Sequence, residues 1–107
     1  MTDPEIDASG TKFWHNERHK CHRLDGPAIE YANGTKLWYV NGLRHRTTGP
    51  AIEYANGTKF WYENGLLHRL DGPAIEYASG HKVWFIRGTQ LTEAEFTLLT
   101  FACYNTL

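Results

Sequence analysis

The sequence predicts a mainly β protein: an antiparallel meander of about seven strands, built from 23-residue repeats and closed by one C-terminal capping α-helix. Three observations predict it. The chain repeats itself at a fixed period. Each period holds two runs rich in β-branched and aromatic residues, separated by turn residues. After Leu91 the pattern changes from strand to helical spacing.

The repeat is read directly. From Gly26 the chain runs GPAIEYANGTKLWYVNGLRHRTT, from Gly49 GPAIEYANGTKFWYENGLLHRLD, and from Gly72 GPAIEYASGHKVWFIRG. Gly34, Gly57 and Gly80 are equivalent, as are Trp38, Trp61 and Trp84. A leading half-unit, Ala8 to Trp14, also matches, and the loop after it is one residue longer than its counterparts. Residues 1–107 therefore read as a single domain: an N-terminal tail over 1–7, a repeat sheet over 8–91 and a C-terminal helix over 92–107.

The elements follow in order. Ala-Ile-Glu-Tyr and Lys-x-Trp-aromatic are the two strands of each unit. Ala-Asn-Gly between them suits a three-residue loop with Gly34 left-handed and a G1 bulge. The second connection runs from Asn41-Gly42 to Gly49-Pro50, and Pro50, lacking a backbone donor, fits the first position of a strand. With no helix between strands, neighbours are antiparallel. The three-residue loop pairs Glu30 with Lys36, Ile29 with Leu37 and Ala28 with Trp38. One face then carries Ile29, Tyr31, Leu37 and Tyr39, and the other Ala28, Glu30, Lys36 and Trp38. The same register makes Glu30/Lys36, Glu53/Lys59 and Glu76/Lys82 cross-strand charge pairs, each contributing roughly 0.2–1 kcal/mol. Thr92 and Glu95 form a capping box. Phe96, Leu99 and Cys103, flanked by Leu98 and Ala102, make an apolar stripe on a helix from about Glu93 to Tyr104. That helix is expected to cover the end of the array near Val83, Phe85 and Ile86.

Composition narrows the function. Eleven Lys and Arg against twelve Asp and Glu give a formal charge of -1, which argues against a strongly basic nucleic-acid binder and against an acidic DNA mimic. Two Cys do not make a disulfide framework. With neither a spanning apolar run nor a signal-peptide core, the expected compartment is the cytoplasm.

Three constellations could carry function. The first is the ladder Trp14, Trp38, Trp61 and Trp84. Large rings can stabilise a thin sheet by packing, and they can also form a partner's hot spot. One ring face can do each. The second is the His-Arg pairs His22/Arg23, His45/Arg46 and His68/Arg69. The histidines read as hydrogen-bonding hairpin closures, because catalytic groups are rarely triplicated. The arginines form a row that either meets phosphate or carboxylate from outside or pairs with Asp25, Asp71 or a Glu. The third is the first loop, where His15, His19, Cys21 and His22 crowd together. Their spacing is not a standard zinc knuckle, so a variable loop is the better reading than a metal site. No catalytic residue and no cofactor is expected: Cys21 has no oriented base in sequence, and the glycines are accounted for by turns.

The unit Trp-Tyr-x-Asn-Gly-x-x-His-Arg-x-x-Gly-Pro-Ala-Ile-Glu-Tyr-Ala-Asn-Gly resembles a MORN-type repeat (membrane occupation and recognition nexus) over about four-fifths of the chain. It departs from the usual pattern in carrying Arg23, Arg46 and Arg69 where family repeats carry Gly after the His. It is most similar to the Asp-Gly-Pro-Ala variant of bacteriophage and other viral or bacterial small proteins, which often ends in a segment like Leu91 to Phe96. The resemblance implies a single-layer, twisted antiparallel sheet whose work is scaffolding and binding, with no catalytic residues.

The leading expectation is a non-enzymatic protein-binding module. With the viral resemblance, this becomes a phage-encoded inhibitor or adaptor acting on a host protein, for example a defence protein, in the host cytoplasm. The expected contact residues are Trp38, Tyr39, Trp61, Tyr62 and Trp84, the arginines Arg23, Arg46 and Arg69, and His19. A nucleic-acid or nucleotide binder using Trp and Tyr stacking beside Arg and Lys is the alternative. A membrane-surface scaffold rests on family analogy alone, and without a polybasic cluster no membrane partner is expected. The open strand edge allows a monomer or an edge-paired homodimer.

Overall fold

The computed structural model describes the backbone of residues 3–104 and the side chains of residues 3–101. The strands are β1 (Glu5–Ile6), β2 (Lys12–Phe13), β3 (Ile29–Glu30), β4 (Lys36–Leu37), β5 (Tyr39–Val40), β6 (Leu43–Arg44), β7 (Ile52–Glu53), β8 (Lys59–Phe60), β9 (Tyr62–Glu63), β10 (Leu66–Leu67), β11 (Ile75–Glu76), β12 (Lys82–Ile86) and β13 (Thr89–Leu91). They are followed by the helix α1 (Glu93–Tyr104). Nine strands form one antiparallel sheet in the order β1-β2-β3-β4-β7-β8-β11-β12-β13. The pairs β5-β6 and β9-β10 are separate two-stranded ladders. The molecule measures 47 × 30 × 19 Å, thin in one direction as one layer requires.

The expected register is observed at two of its three pairs, and the expected Ala28/Trp38 pair is not formed, because the Trp38 amide bonds to Ala51 instead. Glu30 pairs with Lys36 and Ile29 with Leu37, and the later repeats follow suit. Because directly paired residues share a face, register builds two rows. Phe13, Ile29, Leu37, Ile52, Phe60, Ile75 and Val83 cross the sheet on one side. Lys12, Glu30, Lys36, Glu53, Lys59, Glu76 and Lys82 cross it on the other. The core is shallow: the repeated Ala28, Ala51 and Ala74 with Ile29, Ile52 and Ile75 are buried.

Three features go beyond the sequence reading. The tail expected over 1–7 contains β1, which pairs with β2. The second connection is not one loop. Each Asn-Gly turn closes a small hairpin of its own, with Asn41 at φ 51° and Gly42 at φ 83°, the type I′ conformation that fits the strand twist. The strand is also interrupted at Trp38. The Ala28 amide donates to the Leu37 carbonyl, while the Trp38 amide donates forward to the Ala51 carbonyl of the next repeat.

α1 spans the expected residues and carries the expected capping box. The Glu95 amide donates to Thr92 Oγ1 at 3.1 Å, and the Thr92 amide to Glu95 Oε1 at 2.8 Å. Its buried face differs from the expected stripe. Phe96 and Thr100 are buried, while Leu98 is 72% exposed. The Thr100 hydroxyl is accommodated by donating to the Phe96 carbonyl at 2.8 Å. The side chains of Ala102 and Cys103 lie outside the described residues. Phe96 packs on Trp84, with ring centroids 6.5 Å apart, so the helix covers the Trp84 side of β12. Along that strand Val83 and Phe85 point the other way.

Candidate functional site

The tryptophans and arginines meet each other. Arg23 lies over the Trp14 ring, Arg46 over Trp38 and Arg69 over Trp61, each with Cζ 3.8 Å from the ring centroid. The opposite side of each guanidinium is closed by glycine. A Cβ built on Gly26, Gly49 or Gly72 would stand 2.9, 3.1 and 2.9 Å from the Cζ of Arg23, Arg46 and Arg69 respectively. The first residue of Gly-Pro-Ala is therefore glycine because a guanidinium lies against its backbone, not because of its φ angle. The fork is then satisfied in the plane. Arg46 Nη1 donates to the Pro50 carbonyl at 3.1 Å and to Glu53 Oε2 at 3.0 Å. Arg23 and Arg69 repeat this with Pro27/Glu30 and Pro73/Glu76, and add Nε bonds to Asp25 and Asp71.

This arrangement corrects the expected Glu/Lys pairs. Register places the lysines opposite the glutamates, but among the described residues the glutamate ion pairs of the repeats run to arginine. The arginine fork reaches its carboxylate while stacked on a ring, a geometry that lysine cannot copy.

The histidines stitch successive repeats. The amides of Asn41, Asn64 and Arg87 donate to Nδ1 of His22, His45 and His68 at 3.0, 2.9 and 2.9 Å. Each histidine thus holds the turn of the next repeat, which requires the tautomer with its proton on Nε2.

Between successive arginine loops lie two equivalent grooves of about 570 and 530 Å³. Trp38 lines the first and Trp61 the second. Arg46, Thr47 and Thr48 line both and so form a shared wall. Leu24 and Asp25 border the first groove, and Leu70 and Asp71 the second.

Comparison with known proteins finds no matching family model, no similar curated protein and no similar solved structure.

The structure divides the expected contact residues. Arg23, Arg46, Arg69, Trp38 and Trp61 line the two grooves. Trp84 is on the same side but lies under Phe96. Tyr62 is on the opposite side, stacked 6.3 Å from Phe60, and Arg44 lies over the Tyr39 and Tyr62 rings together. His19 is exposed in the first loop, with its ring 5.3 Å from that of His15. His15 Nδ1 lies 3.1 Å from the Asn16 carbonyl oxygen and Nε2 3.0 Å from Glu5 Oε2, two acceptors that the ring can donate to together only when it is protonated. The hydrogen bond to Glu5 holds its pKa above the ordinary histidine value. Cys21 is a free, half-buried thiol. Among the described residues no group of three or more His, Cys, Asp or Glu could hold a metal ion, and no helix is long and apolar enough to cross a membrane.

Sequence reasoning anticipated Asp25 and Asp71 as arginine partners, and both pairs form, but it missed Leu24, Thr47, Thr48 and Leu70 as groove residues. A signal was present. Between Arg and Gly-Pro the first and third loops carry Leu-Asp, while the second carries Thr47-Thr48, a break inside an otherwise repeated His-Arg-x-x-Gly-Pro-Ala run.

Proposed function

We propose that this chain is a non-enzymatic, MORN-like protein-binding module whose contact surface is the pair of grooves on its tryptophan face. The observation that carries the reading is the doubled groove. Two concavities built from equivalent repeat positions, each with one indole and sharing the Arg46-Thr47-Thr48 wall, lie side by side, so they are preformed for a partner that spans both. The arginines take part as walls. Their forks already hold a ring, a carbonyl and a carboxylate, so they supply shape rather than free charge. A phage-encoded inhibitor or adaptor acting on a host protein fits this reading, as does any small adaptor.

The test is capture from host lysate with the wild type and with Thr48→Arg, which places a long side chain on the exposed shared wall. A captured protein lost from the variant, with circular dichroism unchanged, supports the grooves as the interface. Unchanged capture removes them from it.

A second reading rests on the exposed lysines. Lys12, Lys36, Lys59 and Lys82 are exposed in one register row, and the glutamates between them are engaged by arginine. Such a row fits a phosphate backbone. Affinity for single-stranded DNA that falls steeply with salt is the expected signature, and salt-independent or absent binding excludes it.

A further inference from the structure

We propose that the two grooves together bind one polyproline II segment, with apolar residues at every third position and a basic residue at its flank. This rests on the protein-binding reading and names the partner's chemistry.

Pitch is the first argument. Successive grooves are one repeat apart, which is two strands of the main sheet. Strands lie about 4.7–4.9 Å apart, so the grooves recur at about 9.6 Å. A polyproline II helix has three residues per turn at 3.1 Å each, so its side chains recur on one face at about 9.3 Å. An α-helix repeats at about 5.4 Å and does not match. In an extended strand the third residue lies at about 10 Å but points to the opposite face. Among regular conformations, polyproline II places identical side chains in both grooves.

The lining is the second argument. Polyproline II segments dock in aromatic-lined grooves and bring a solvated backbone with free carbonyls. Here each groove has one indole, Trp38 or Trp61, and the shared wall presents the exposed hydroxyls of Thr47 and Thr48. Leu24, 80% exposed, stands at the outer lip.

Charge is the third. Each groove arginine has a glutamate on its Nη1, which leaves Asp25 in one groove and Asp71 with Glu63 in the other. Each aspartate gives one oxygen to an arginine Nε, and the Asp71 side chain is 85% exposed. The grooves are therefore acidic at their lips and complement a Lys or Arg beside the apolar triplets.

The probe is a fluorescein-labelled peptide of repeated Pro-Pro-Leu triplets ending in two arginines, titrated by fluorescence anisotropy. Its partner control has the same composition with the leucines moved off the third-residue spacing. The wild type is expected to bind the periodic peptide at least tenfold more tightly than the control. Thr48→Arg and Asp71→Lys, both at exposed positions, are each expected to weaken binding about tenfold with the fold intact. Equal affinity for the two peptides, no binding of either, or indifference to both variants overturns the proposal. If the peptide fails while Thr48→Arg still abolishes capture of a lysate protein, this inference falls and the protein-binding reading stands.

Discussion

The three leading tryptophans and the last one solve the same problem with different chemistry. Trp14, Trp38 and Trp61 each lie under an arginine pinned by a proline carbonyl and a glutamate. Trp84 has Thr92 where its arginine would stand, and Phe96 of α1 packs on its ring instead. Inside the array, another repeat always follows and supplies the carbonyl and carboxylate that make a charged cover affordable in a half-buried site. At the end no repeat follows, so an arginine there would lack its partners, and an apolar side chain from a helix is the stable cover. The difference separates two jobs: the clamp keeps the tryptophan face open and grooved, and the cap closes it.

The largest effect is expected at the cap. Phe96→Ala removes a ring that is 7% exposed, uncovers Trp84 and detaches α1 from β12, costing about 3–4 kcal/mol in urea denaturation. Arg46→Ala comes next. It uncovers Trp38 and leaves Glu53 and the Pro50 carbonyl without their donor, costing about 2–3 kcal/mol. Arg46→Lys is expected to recover less than half, because the ammonium lacks the planar fork. Both effects shrinking to a few tenths would erase the distinction between clamp and ordinary surface.

Gly72→Ala sharpens the comparison. Its Cβ meets the Arg69 guanidinium at 2.9 Å, so a cost of about 1–2 kcal/mol is expected. In an Arg69→Ala background that cost should vanish, because the obstacle is gone. A cost that persists there would place the glycine requirement in the backbone. The smallest effect belongs to the N-terminal edge. His15 has its pKa raised by Glu5, so the contact contributes stability that is complete below the ordinary histidine value and fades as pH rises through the raised one. The protection factors of the β1 amides, exchange rates normalised to those of the unprotected chain, should fall over that window in the wild type, and in Glu5→Gln they should no longer change with pH.

The sequence made the array legible because period and alternation are local properties. Strand register, the left-handed Gly34 loop and the Thr92/Glu95 box all followed from residues a few positions apart. β1 was hidden because it carries Glu5 where the repeats have Ile, and Ile6 where they have Glu, without the Gly-Pro-Ala entry. The site was half legible. Trp and Arg were visible as rows, but their stacking on one another depends on the bend at Trp38, which no local pattern announces. The placement of Tyr62 beside Phe60, on the face opposite the tryptophans, is the one strand alternation predicts. The glycine of Gly-Pro-Ala looked like turn chemistry, and only the approach of the guanidinium explains it.

The central claim is that each inner tryptophan and its arginine are partners of one another. A double-mutant cycle of Trp38→Leu and Arg46→Ala, measured by urea denaturation, tests it directly. The account predicts a coupling of about 1–2 kcal/mol between the two positions. Additive effects, with a coupling within about 0.3 kcal/mol of zero, would contradict it.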